Sequence, residues 1–154
     1  MIEVKAPNYY QRAHSDDRIV FLAGSIEMGE AELWQDKVVT ALADTDTIVL
    51  NPRRDDFDPT WTQGWENPNF VEQVNWEMDA LEVADVIVFY FDPNTKSPIT
   101  LMELGLYAKK GNVIVCCPNG FWRKGNVDIL CKRYKLPTAD SLEMMTKMLR
   151  YWIR

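Results

Sequence analysis

Glu103 is the single charged residue in the run from Ser97 to Ala108, whose other members are apolar, small or hydroxylated. An ionised carboxylate buried without compensation costs several kcal/mol, of order 3 or more. Such an acid either has a local partner or is kept for chemistry as a nucleophile or base. Thr100 and Glu103 form a Thr-x-x-Glu pattern, which reads as a capping box with Thr100 as N-cap. Glu103 would then lie in the first helical turn, where unpaired N–H groups and the helix dipole favour negative charge. On the residues alone, capping and catalysis both stand. Asp79 falls on the helix expected before the central strand, about 80° around from Val71 at the edge of the apolar face. From there it would reach the crevice at Glu103, although a solvent-facing residue or a local salt-bridge partner fits the position equally well. Two carboxylates in a partly apolar site separate their proton affinities, so one serves as nucleophile while the other holds a proton or orients a leaving group. That division suits cleavage at a sugar anomeric carbon.

Other chemistries find less support. The only histidine, His14, sits in a polar lead-in segment, which argues against a His-containing triad or a His-rich metal site. No metal or cofactor is expected. Gly24-Ser25 closes a strand-like run but lacks the G-x-G-x-x-G pattern, and no Walker A sequence occurs. It reads most simply as a tight turn, one that can also offer N–H groups and a hydroxyl to a sugar or phosphate.

The elements that must hold these residues alternate between strand and helix. Apolar runs at 18–23, 47–50, 86–91 and 113–117 read as strands, with a short fifth at 136–138. Helical spacing marks 30–43 and 69–84, the second with Val71, Val74, Met78 and Leu81 on one face. Further helices are expected from the Glu103 segment, 127–134 and 141–153. Residues 1–17 read as an irregular arm and 18–154 as one domain. Such alternation predicts an α/β fold with a four- or five-stranded parallel sheet covered on both faces. Gly24, Ser25, Asn51, Asp92, Ser97 and Asn119 would fall at carboxyl strand ends and converge on one crevice. The segment 51–68 exceeds the usual connection of about 4–6 residues, and its Trp61 and Trp65 read as a lid or as core cover.

Bulk properties narrow the class. A chain of 154 residues with 47% hydrophobic content is long enough for one domain with a two- or three-layer core. With 17 basic against 23 acidic residues, the net charge of −6 argues against nucleic acid as a partner. The three cysteines form no C-x-x-C pair, which fits a reducing cytoplasm. No apolar span of 18 residues and no signal-peptide core are present, so a cytoplasmic protein without membrane association is expected.

Several segments, taken in order, resemble the nucleoside 2-deoxyribosyltransferase superfamily, in its nucleoside 2-deoxyribosyltransferase-like branch. They are Phe21-Leu22-Ala23-Gly24-Ser25-Ile26, Asn51-Pro52-Arg53-Arg54, Trp76-Glu77-Met78-Asp79, and Ser97 through Gly105 with its Met102-Glu103-Leu104-Gly105 core. Gly120-Phe121-Trp122-Arg123 continues the series, which covers about residues 18–135. The resemblance implies a flavodoxin-like or Rossmann-like three-layer sandwich and transfer of deoxyribose between nucleobases. Glu103 would attack C1′ to form a covalent glycosyl-enzyme, and Asp79 would manage the nucleobase proton. With water as acceptor the same centre would be a hydrolase of nucleosides or of 5′-monophosphates. In the latter, Gly24, Ser25 and Ser97 match positions near the phosphate. Related enzymes commonly carry a Tyr where Phe21 stands, and monophosphate hydrolases commonly have Arg where Glu27 stands. An acid there repels a phosphate dianion, which favours an unphosphorylated nucleoside. The resemblance also implies a homo-oligomer with a shared site, in which Asn119 and Trp122 contact a nucleobase or, for Trp122, pack at the interface. A catalytically silent nucleoside-binding module is the reading of another class.

Overall fold

The structure is a computed structural model that describes residues 1–10, 12, 14–26 and 31–154. Its strands are β1 (Ile2–Lys5), β2 (Arg18–Gly24), β3 (Thr47–Asn51), β4 (Val86–Tyr90), β5 (Val113–Cys116) and β6 (Thr138–Ala139). Interleaved with them are helices α1 (Trp34–Ala41), α2 (Pro68–Val83), α3 (Pro98–Tyr107), α4 (Lys124–Tyr134) and α5 (Leu142–Trp152). The strands form one six-stranded sheet in the order β1-β3-β2-β4-β5-β6, and every pairing is parallel.

β2 shows why the sheet needs cover on both faces. From Ile19 to Ala23 every residue is buried, and successive side chains of a strand point to opposite faces. Ile19, Phe21 and Ala23 join Trp76 and Leu81 of α2, Leu104 of α3 and Val127 of α4 in one core. Val20 and Leu22 join Trp34 and Val38 of α1 and Met145 and Leu149 of α5 in the other. The result is the expected three-layer sandwich.

The sheet is wider than the four or five strands expected. Residues 2–5, read as part of an irregular arm, pair with β3 from Ile2 opposite Ile48 to Lys5 opposite Asn51. Two of these four residues are charged, so the hydrophobic signal of an edge strand is faint. The edge is nonetheless fastened, since Asn51 Nδ2 donates to Glu3 Oε1 at 2.7 Å. The chain moves from β2 to β3 on one side, then returns over β2 to β4 on the other. The order therefore reverses between β2 and β4, where open α/β sheets bind ligands.

Candidate active site

A cavity of about 760 Å³ opens at this reversal, bounded by the end of β2, the loop after β3, α2 and α3. β2 contributes Phe21 and Gly24, α2 contributes Val74 and Glu77, and α3 contributes Ile99 and Glu103. Gly24 lets the strands close behind it: a Cβ there would meet the Tyr90 carbonyl oxygen at 2.6 Å and a Trp34 ring carbon at 2.7 Å.

Glu103 sits differently from the capping-box expectation. Pro98 occupies the first position of α3, Ser97 precedes it with φ 47°, and Leu101 N donates to Ser97 O at 3.0 Å. Proline is preorganised for the first helical position, so the helix begins before Thr100. Glu103 therefore falls in the second turn, past the reach of the unpaired N–H groups. Its side chain is 6% exposed and lines the cavity. Among the described residues no group hydrogen-bonds its carboxylate. Phe21 offers no hydroxyl, and the Tyr107 hydroxyl one turn on donates to Glu82 Oε1 at 2.7 Å. Burial, reinforced by the charge of Glu77, pushes the Glu103 carboxyl up to about 8.

The second carboxylate on the cavity wall is that of Glu77, and Asp79 lies outside it. Asp79 is exposed, does not line the cavity, and accepts from the Tyr9 hydroxyl at 3.4 Å. The cause is the rotation of α2. Its buried face carries Trp76, Ala80 and Leu81, whereas Val74 and Met78, expected in the core, open onto the cavity. Trp76 is anchored by Nε1 donating to Asn8 O at 2.8 Å and by an edge contact with Phe21. That rotation carries Glu77 inward and Asp79 out. Glu77 accepts at Oε1 from Gln73 Nε2 at 2.7 Å. Burial raises its carboxyl to about 7 against the opposing effect of that bond. Sequence reasoning missed both Glu77 and Gln73, although Gln73, Trp76, Glu77, Ala80 and Leu81 follow the i, i+3, i+4 spacing of a single stripe.

The remaining predicted site residues separate into two groups. Gly24 and Ser97 line the cavity. Ser25 is buried behind it, where its hydroxyl contacts Ser97 Oγ at 2.5 Å and accepts from Asp92 N at 2.9 Å and Thr95 Oγ1 at 3.0 Å. Asn51 is also buried outside the cavity, bonded to Glu3 and accepting from Arg53 N. Asp92 binds Asn94 N and Glu32 N in the turn after β4. Asn119 and Trp122 are exposed on the loop after β5 and do not reach the cavity. Trp122 Nε1 donates to Lys96 O, and both the Lys96 ammonium and the Arg123 guanidinium lie over its ring. Glu27 lies outside the described residues.

The long loop after β3 forms the outer wall. Phe57 and Trp61 meet edge to face, and Arg54 stacks over Trp61 at 5.0 Å while pairing with Asp56 and Glu72. Trp65 lines the cavity yet is 90% exposed, which excludes the core-cover reading. Arg53 is held by Gln35 Oε1 and by the carbonyls of Ala31 and Glu32. A second cleft, about 560 Å³, lies at the opposite end of the sheet, where Arg150 and Asp44 pair with each other. Among the described residues no three His, Cys, Asp or Glu side chains gather as metal ligands, and no helix is long and apolar enough to cross a membrane.

Fold and site together define a doubly wound α/β protein with an acidic pair in an apolar cavity at its topological switch point. Its sequence is more specific. Residues 17–121 match the family described as nucleoside 2-deoxyribosyltransferase like, and the chain belongs to that family. The matched stretch carries Gly24, Glu77, Ser97 and Glu103. Among solved structures, a conserved protein from Enterococcus faecalis V583 is similar in fold, with a TM-score of 0.60 and 13% identity over 88% of this chain and 98% of that one. No curated protein matches the sequence.

Proposed function

We propose that the protein breaks the N-glycosidic bond of a 2′-deoxynucleoside and transfers the sugar to a second nucleobase through a glycosyl ester on Glu103. The observation that carries this reading is the Glu103 carboxylate itself, buried on the cavity wall without a hydrogen-bond partner among the described residues and next to a second acid. An anion so placed is poorly solvated in the ground state. It becomes better stabilised as positive charge develops at C1′.

In the first step a Glu103 oxygen bonds to C1′ as the C1′–N bond breaks, and the proton of Glu77 passes to the departing nitrogen. In the second, a nitrogen of the acceptor base attacks C1′, its proton goes to Glu77, and the ester bond breaks to restore the Glu103 carboxylate. The productive arrangement therefore has one proton on the pair, resident on Glu77. Ionised Glu103 and protonated Glu77 are a small rearrangement away from the converse, because both carboxyls are raised by the same burial. The apolar walls, with Val74, Met78, Ile99 and Met102, suit a base and a deoxysugar. The Ser25 hydroxyl, occupied by internal bonds, favours an unphosphorylated substrate over a 5′-monophosphate.

A homo-oligomer belongs to the same proposal. Ile99, Met102 and Leu106 expose an apolar stripe along α3 beside the cavity, which supports contact with a second copy. Sedimentation of the purified protein checks it.

Incubation with a deoxynucleoside, with and without a second free base, tests the activity. A new nucleoside formed only when the second base is present establishes transfer. Free sugar in both reactions makes the protein a hydrolase, and no product in either, with nucleoside binding measured by calorimetry, makes it a binding module.

A further inference from the structure

Gln73 has an unusual set of bonds. Its side-chain Nε2 donates to the Pro52 carbonyl at 2.9 Å and to Glu77 Oε1 at 2.7 Å. Its Oε1 is buried with no partner. Exchanging the amide nitrogen and oxygen would set an acceptor against two acceptors, so the orientation is determined by its neighbours. An unpaired buried carbonyl oxygen is destabilising, and a side chain chosen for stability alone would avoid it.

We infer that Gln73 is the positioning residue of the Glu77 acid: its amide, pinned on the Pro52 carbonyl at the end of β3, holds Glu77 Oε1 as an acceptor and reserves Oε2 for the proton that reaches the nucleobase. This rests on the reading of Glu77 as proton donor in the proposed function. A carboxylic acid accepts best at its carbonyl oxygen and carries its proton on the other. Because Nε2 is tied to Pro52, Glu77 meets an N–H in either protonation state. Oε2 has no protein partner among the described residues and Glu77 lines the cavity, so a ligand bound there can receive its proton. Pro52 is itself a wall of that cavity, so Gln73 joins the loop that covers the substrate to the acid that acts on it. The charged groups that share the cavity wall with Glu77 are Glu103 from α3 and, from the loop after β3, Arg53 and Arg54, and Arg53 is turned to Gln35 and the carbonyls of Ala31 and Glu32. Arg54 is paired with Asp56 and Glu72, and β2 contributes only the uncharged Phe21, Ala23 and Gly24. Among the described residues Gln73 is the single neutral donor bonded to the acid.

The test is a substrate-free NMR titration of the whole protein from pH 5 to 9, following the Glu77 carboxyl carbon and the Gln73 side-chain NH2. In the wild type the Gln73 signals move with the same midpoint as Glu77. In Gln73→Met the Glu77 midpoint rises by about one pH unit, the size expected for loss of one hydrogen bond to a charged group. Where transfer is measurable, the limb of the pH–rate profile set by Glu77 moves to higher pH by the same amount, with KM unchanged. Gln73 signals that stay flat across the range in the wild type overturn the inference without any variant, and so does an unmoved Glu77 midpoint in Gln73→Met. A merely structural glutamine would lower stability and leave the midpoint in place. Coupled titration without any glycosyl product would refute the proposed function and leave the link between Gln73 and Glu77 standing. Transfer with an uncoupled Gln73 would do the reverse.

Discussion

Replacing Glu103 with Gln should abolish transfer and stabilise the protein, and the stabilisation should depend on pH. Glu103 is 6% exposed, and its carboxyl is raised from an ordinary 4.5 to about 8, chiefly by burial. Below pH 4.5 folded and unfolded chains both hold the proton, and the acid imposes no penalty. As pH rises from 4.5 towards 8 the unfolded chain releases its proton while the folded chain retains it, so stability falls; above 8 the full penalty is present. At about 1.4 kcal/mol per pH unit the limit is about 5 kcal/mol. Burial and the charge of Glu77, itself ionised at pH 9, both contribute there, and solvent entering the open cavity weakens them, so Glu103→Gln should gain about 2–5 kcal/mol at pH 9. For a domain of this length that corresponds to about 5–15 °C in melting temperature. Urea unfolding of both proteins at pH 4.5 and pH 9 reads the effect: nearly equal stability at the lower pH, and a clear advantage for Glu103→Gln at the higher. An equal difference at both values, or a less stable variant at pH 9, would refute the account of Glu103 as a desolvated acid.

Three further predictions concern the same cavity. The pH profile of kcat/KM should be a narrow bell whose limbs lie near 7 and 8, because activity needs one proton on the pair; a profile flat from pH 6 to 9 contradicts this. Glu77→Gln should slow sugar transfer from an ordinary nucleoside by about 10²–10⁴-fold, the usual contribution of general acid catalysis. Asp79→Asn, on the solvent side of α2, should remain within a few-fold of wild type, and the opposite ranking in steady-state assays would restore Asp79 as the acid. Trp65→Ala should leave thermal stability unchanged, since the ring is 90% exposed, while raising KM through loss of an aromatic wall; an unaltered KM would remove Trp65 from the substrate site.

The sheet's interior was legible in the sequence because β2, β3, β4 and β5 are unbroken apolar runs that only a doubly covered parallel sheet can bury. β1 was not legible: Ile2-Glu3-Val4-Lys5 is ordered by β3, whose free edge lies far along the chain. Glu103 stood out as an acid in an apolar run, and its strand-end neighbours Gly24 and Ser97 do line the cavity. Its helical position was misread because Thr-x-x-Glu is a local signal, overruled by Pro98 at the helix start. Asp79 was placed at the crevice, where Glu77 stands instead, for a related reason. Val71, Val74 and Met78 set the expected face of α2, but a cavity wall is apolar too, and Trp76 decides which stripe is core. Ser25 and Asn51 reach the right end of the sheet, yet internal hydrogen bonds consume them, and spacing carries no sign of that. What changed most is the state of Glu103, from an anion held by a helix terminus to an acid whose ionisation the fold opposes.

The central claim is a covalent bond between Glu103 and the sugar. Intact-mass analysis of the protein mixed with a 2′-deoxynucleoside, followed by peptide mapping, tests it most directly. The account predicts a deoxyribosyl adduct on the peptide containing Glu103 that disappears when a free base is added, and no adduct in Glu103→Gln. Turnover without any adduct on that peptide, or an adduct that persists in Glu103→Gln, would contradict it.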